Sequence, residues 1–157
     1  MNSNMSFFAF VPARGGSKGI AKKNLHILNK KPLIHYTLDA AQKSQYISEV
    51  YVSSDCETTL EFTKNYKNIH NIRRPDEFAC DDSLANDVIK NFIQTTLQTV
   101  TESMYMVYLQ PTSPLRNEKH IDAAIKFLSK SNSRSLVSVK ESSEIPYKSL
   151  KIEKGLL

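Results

Sequence analysis

The chain of 157 residues predicts an α/β fold, a Rossmann-like three-layer sandwich on a mostly parallel sheet. Three observations carry that expectation. Short apolar runs, suited to strands buried on both faces, alternate with longer segments of helical period. No internal repeat or low-complexity linker interrupts the alternation. The two stretches richest in ligand-type chemistry each follow a strand candidate, where open parallel sheets hold their ligands.

The elements follow in order. Phe7–Val11 is apolar throughout and reads as a buried strand. Pro32 opens a helix through about Ser44, with Leu33, Leu38 and Ala41 among its apolar positions. Val50-Tyr51-Val52 is a short strand, and Ser53-Ser54-Asp55 supplies a helix cap after it. Thr58–Tyr66 reads as a helix and Ile69–Ile72 as a brief extended piece. Asp82 or Ser83 starts a long helix to about Leu97, its core face carried by Leu84, Val88, Phe92 and Ile93. Met104–Leu109 is the fourth strand. Asn117 or Glu118 begins a helix bearing Ile121, Ala124, Ile125 and Leu128, and Ser135–Val139 is a further strand.

Composition narrows the function classes. Apolar content of 40% and charged content of 24% suit one globular domain with a core. The net charge of +5 can attract a phosphorylated ligand, but the lysines are too scattered for a nucleic-acid surface. Cys56 and Cys80 have no pairing motif and no histidine at metal spacing, so they read as reduced structural thiols. His26, His35, His70 and His120 show no ligand spacing and read as structural or exposed. The N-terminal apolar run lacks a basic flank, and no stretch has the length of a membrane span. A cytoplasmic protein without nucleic-acid or membrane partners is the expectation.

The first strand runs into Pro12-Ala13-Arg14-Gly15-Gly16-Ser17-Lys18-Gly19. Three glycines, a serine and two cations make an anion nest suited to a nucleoside triphosphate. It is not a Walker A loop, because Gly19 follows Lys18 where a Ser or Thr would hold the metal. The plainer reading is a glycine-rich turn with solvated charges. The fourth strand delivers Gln110-Pro111-Thr112-Ser113-Pro114-Leu115-Arg116. With Asp55 and Arg74 also following extended segments, four loops are expected to converge on one cleft.

These motifs, with Lys23-Asn24 and Arg73-Arg74-Pro75 followed by Ala79, Asp81 and Ser83, resemble the acylneuraminate cytidylyltransferase (CMP-sialic acid synthetase) family. The resemblance runs from Phe8 to about Leu150 and implies attack by the anomeric hydroxyl of a nine-carbon 2-keto sugar acid on CTP. It implies that Arg14 and Lys23 contact the triphosphate and stabilise charge as pyrophosphate leaves. Gly15, Gly16, Ser17 and Lys18 would wrap the phosphates, while Asn24, Arg74 and Ser83 would help hold the nucleotide. Backbone groups near Ala13 would read the cytosine. Gln110 would face the sugar acid, with Thr112 and Ser113 shaping that pocket. Each has a local rival: Lys22 and Lys23 as exposed charges, Arg74 paired with Asp76 or Asp81, Ser83 as a helix cap, Thr112 and Ser113 as turn formers between prolines.

Ala21 stands where the family usually has proline. The resemblance divides the chain into a nucleotide-binding domain (1–140) and the start of a dimerisation and sugar-binding extension (141–157). It also implies that members continue past the position of Leu157, into further sugar contacts and an acidic pair that binds Mg²⁺. The expectation is therefore weak or absent catalysis by this chain alone, with a homodimer as the family's assembly. A non-catalytic nucleotide-binding remnant and a GTP-using legionaminate guanylyltransferase relative are the alternatives. A deoxy-octulosonate cytidylyltransferase fits the Gln-Pro-Thr-Ser-Pro-Leu-Arg form less well.

Overall fold

The first strand decides the architecture, because its residues alternate between two cores. Phe7, Ala9 and Val11 enter one apolar cluster, and Phe8 and Phe10 enter another. The computed structural model describes residues 5–17, 19–80, 82–97, 101, 103–131 and 133–139. Its elements run β1 (Ser6–Pro12), β2 (Ile27–Leu28), β3 (Lys31–Pro32), α1 (Leu33–Lys43), β4 (Ile47–Ser54), α2 (Glu57–Thr63), β5 (Ile69–Arg73), α3 (Ala85–Thr96), β6 (Met104–Tyr108) and α4 (Glu118–Lys130).

The sheet has the order β5-β4-β1-β6 with every neighbouring pair parallel. Ile34, Leu38 and Ala41 of α1 pack on one face with Ile121, Ile125 and Leu128 of α4 and Phe62 of α2. Val88 and Phe92 of α3 pack on the other, where Phe92 lies 4.6 Å from Phe10 between ring centroids. The three-layer parallel sandwich expected from the alternation is what forms. The chain leaves β1 toward β4 and later returns to β6 on the other side of β1. That reversal opens a crevice beyond the carboxyl ends of β1 and β6.

Several local expectations change. The β2–β3 hairpin went unread; its two-residue turn puts Asn29 and Lys30 at φ 45° and 69°, a primed turn without the glycine that marks one in sequence. α3 begins at Ala85 rather than Asp82 or Ser83, because Leu84 is still extended and Ser83 Oγ donates to the Glu77 carbonyl at 3.3 Å. Leu84, expected in the core, is therefore 65% exposed. α2 has Cys56 as its N-cap and no side-chain cap bond; Ser54 and Asp55 instead bond the glycine loop. Ser135–Val139, expected as a strand, has no regular structure, and Val137 and Val139 are exposed. An extended run becomes a strand only when its main-chain groups find a neighbouring ladder, and none of the described residues provides one.

α4 starts as expected. Asn117 accepts from the His120 N–H at 3.2 Å while His120 Nδ1 accepts from the Asn117 N–H, a reciprocal capping box. The expected extension at 141–157 lies outside the described residues, as do Lys18 and Asp81. Among the described residues no helix is long and apolar enough to cross a membrane.

Candidate active site

Beyond the carboxyl ends of β1 and β6 lies a cleft of about 330 Å³. Its described lining includes Pro12, Arg14 and Ser17 after β1, and Lys23 and Asn24 from the following 3-10 turn. Arg74, Phe78, Cys80, Ser83, Ala85 and Val88 come from the β5–α3 region, and Tyr108, Gln110, Pro111 and Thr112 from the end of β6. Three cations meet there, and no carboxylate is among the described lining residues.

The glycine loop is pinned from beneath. Ala13 N–H donates to the Ser53 carbonyl at 2.9 Å, and Ser54 Oγ donates to the Ala13 carbonyl at 2.6 Å. Gly15 N–H donates to Asp55 Oδ1 at 2.8 Å. A β-carbon on Gly15 would lie 2.7 Å from Cys56 Cβ, so only glycine lets the loop settle on the start of α2. Beside it, burial pushes the Cys56 thiol up, but hydrogen bonds from Thr58 and Thr59 outweigh this and hold it below its ordinary value.

The loop is also closed across its ends. Lys22 takes a left-handed backbone (φ 48°) and opens the turn Lys23–Leu25. Lys23 then faces the cleft, while buried Asn24 donates from Nδ2 to the Arg14 carbonyl at 2.9 Å. Arg14 Nη1 reaches the Cys80 carbonyl at 3.0 Å.

Arg74 is the buried cation of the site, only 5% exposed. It bonds neither Asp76 nor any other described carboxylate. Its Nε donates to Ser53 Oγ at 3.1 Å and its Nη2 to the Ser53 carbonyl at 3.0 Å. That carbonyl also receives Ala13 N–H, so one serine ties Arg74 to the glycine loop. Burial lowers the Arg74 pKa; Asp55 and Tyr108 oppose the shift, and nearby Arg14 adds to it.

Of the residues expected in the site, Arg14, Ser17, Lys23, Asn24, Arg74, Ser83, Gln110 and Thr112 line one cleft. Ala13, Gly15, Gly16 and Ser113 do not line it. Ala13 and Gly15 have their amides committed within the protein; Gly16 is exposed in open space, and the Ser113 carbonyl accepts Arg116 N–H at 3.1 Å. Sequence reading missed Phe78, Val88 and Tyr108 as cleft walls, although the alternation that buries Phe10 puts its β6 partner Tyr108 on the same face. It also missed Asp55 as the brace for Gly15.

Magnesium implied by the resemblance finds a poor fit in these residues. Among the described residues no three carboxylate, histidine or cysteine side chains gather as a metal site. Asp55, beside the loop, already accepts from the Gly15 N–H. Mg²⁺ takes one or two carboxylates along with substrate phosphates, and the described cleft offers none.

The fold and cleft together define an α/β sandwich of the nucleotidyltransferase type with a cationic ligand site. The sandwich superposes on a CMP:2-keto-3-deoxy-manno-octonic acid synthetase complexed with CTP with a TM-score of 0.62, at 16% identity, covering 79% of this chain and 47% of the other. The chain belongs to the cytidylyltransferase family, whose model matches residues 8–152. It is 37% identical over 118 residues to the N-acylneuraminate cytidylyltransferase of Escherichia coli O18:K1:H7, covering 75% of this chain and 27% of that protein. It is 33% identical over 138 residues to the CMP-N,N'-diacetyllegionaminic acid synthase of Legionella pneumophila, covering 86% of this chain and 58% of that protein. The chain thus spans from about a quarter to under two thirds of the length of these relatives.

Proposed function

We propose that this protein transfers a cytidylyl group from CTP to a nine-carbon 2-keto sugar acid of the sialic type. The anomeric hydroxyl attacks the α-phosphorus and forms the new P–O bond. The bond from that phosphorus to the bridging oxygen breaks, pyrophosphate leaves, and the hydroxyl proton passes to solvent. Phosphoryl chemistry of this kind depends on alignment and charge stabilisation rather than on a covalent nucleophile. The observation that carries the reading is the cleft itself, where Arg14, Lys23 and Arg74 from three chain segments meet beside Gln110 and Thr112.

On this reading Arg14 and Lys23 contact the triphosphate and stabilise the departing pyrophosphate. Ser17 and Lys18 contribute donors, while Gly15 and Gly16 give the loop its path. Asn24 acts chiefly by bracing Arg14, since its side-chain amide holds the Arg14 carbonyl. Arg74 and Ser83 hold the nucleotide, with main-chain groups beside Ala13 and Pro12 near the base. Gln110 and Thr112 face the sugar acid, and Ser113 shapes their loop. The described cleft offers magnesium no carboxylate, and no step is assigned to it. The same reading carries cytoplasmic nucleotide-sugar biosynthesis for cell-surface polysaccharide, and a homodimer. The relatives described above include an N-acylneuraminate and a legionaminic acid enzyme, and either acid fits the acceptor class proposed.

Calorimetric titration of the purified chain with CTP, GTP, ATP and UTP, with and without Mg²⁺, tests the reading. Selective CTP binding is expected. Preference for GTP would move the assignment to guanylyl transfer, and a folded chain that binds no nucleotide would overturn it.

A further inference from the structure

Arg116 closes the second ligand loop, but it does not line the cleft. Its Nη2 donates to the Gln110 carbonyl at 3.0 Å and to Thr37 Oγ1 at 3.1 Å. Thr37 is fully buried in the middle of α1. Arg116 N–H donates to the Ser113 carbonyl at 3.1 Å, so the end of the loop is tied to its start and its middle. Burial lowers the pKa of this guanidinium, and no described carboxylate bonds or pairs with it. Its Nε is buried with no hydrogen-bond partner.

A half-buried arginine held only by neutral acceptors, with a buried donor unused, is an expensive way to cap a loop. Stability alone does not account for it. What the arrangement secures is the main chain of Gln110, whose exposed side chain lines the cleft. We infer that Arg116, anchored on Thr37, is a positioning residue that sets the Gln110 loop for the acidic acceptor rather than for the nucleotide. The inference rests on the acceptor reading given for Gln110 above. Arg14, Lys23 and Arg74 are held by separate bonds to Cys80, the 23–25 turn and Ser53, so the nucleotide half does not depend on Arg116.

The test uses the full chain as wild type, Arg116→Lys, Thr37→Val, Gln110→Ala and the Arg116→Lys/Gln110→Ala double variant. Lysine keeps the charge but lacks the planar guanidinium that places Nη2 between the two acceptors, so it spares folding where alanine would endanger it. CTP is titrated first, then N-acetylneuraminic acid in the presence of saturating CTP. Arg116→Lys is expected to bind CTP like wild type and the sugar acid roughly tenfold more weakly, as small misplacements of contact groups do. Thr37→Val is expected to weaken the sugar acid in the same direction. The double variant is expected to be no weaker than Gln110→Ala alone, because both changes act through one contact. Additive losses, equal losses for CTP and sugar acid, or unchanged sugar binding in Arg116→Lys would overturn the inference while leaving the nucleotide reading intact. A wild-type chain that binds CTP without the sugar acid would overturn the inference and the acceptor assignment of Gln110. A folded wild-type chain that binds no CTP would remove the cytidylyl reading and this inference together.

Discussion

Replacing Gly15 with alanine strikes the glycine loop at the point where it rests on α2. The added methyl would sit 2.7 Å from Cys56 Cβ, and the two must separate by about 0.7 Å to reach ordinary contact. Both neighbours are backbone-fixed β-carbons, so no side-chain rotation relieves the overlap. The loop must rise, which stretches the 2.8 Å bond from Gly15 N–H to Asp55. Overpacking of this kind destabilises by about 1–3 kcal/mol. The same displacement moves Arg14, and a shift approaching 1 Å weakens a positioned contact by roughly 10- to 100-fold. Calorimetry with CTP and a urea melt of Gly15→Ala measure both effects. Two controls isolate the cause. Gly16→Ala faces open space and is expected to leave stability within about 0.5 kcal/mol of wild type. Gly15→Ala/Cys56→Gly removes the opposing β-carbon, leaves a residue tolerated at a helix N-cap, and is expected to restore CTP binding. A Gly15→Ala protein with wild-type affinity and melting, or a double variant no better than the single, would refute the steric argument.

Arg74→Ala is expected to weaken CTP binding by about 2 kcal/mol, roughly thirtyfold, and Arg74→Lys not to restore it, because the fork to Ser53 is lost; titration at two salt concentrations checks both. Phe92→Ala opens a cavity beside Phe10 and is expected to destabilise by about 3–5 kcal/mol in a urea melt. Burial, then Lys31, lowers the His35 pKa below 6.5, with Lys43 adding to the shift and Asp39 opposing it. The unfolded chain therefore takes the proton more readily, and stability present above pH 6.5 is lost as pH falls toward the folded value. Thermal melts of wild type and His35→Gln across that range are expected to differ in slope, with the variant flatter. Asn117→Ala removes the reciprocal cap of α4 and is expected to lower stability by about 1 kcal/mol, read by the same melts.

The parallel sheet was legible because β1 is apolar at every core position and each helix carries its own period. The two ligand loops were legible because glycine clusters and proline-bounded turns are local chemistry, written in consecutive residues. Ser135–Val139 shows the opposite case: its residue types favour a strand, but a strand exists only beside another, and that information is not local. Leu84 failed for a similar reason, since a difference of two or three residues in where α3 starts turns it from core to solvent.

The amino-acid sequence by itself determined the order of the four sheet strands and the four helices, the anion-seeking loop and its cations, because periodicity and backbone permissiveness depend on near neighbours. Tertiary structure alone decided which groups remain available to a ligand. Asp55 takes the Gly15 amide, Ser53 holds Arg74, Asn24 closes on Arg14, and Arg116 reaches Gln110 and Thr37. Hydrogen-bond donors are satisfied by whatever lies within about 3 Å in space, and distance along the chain does not set that neighbourhood.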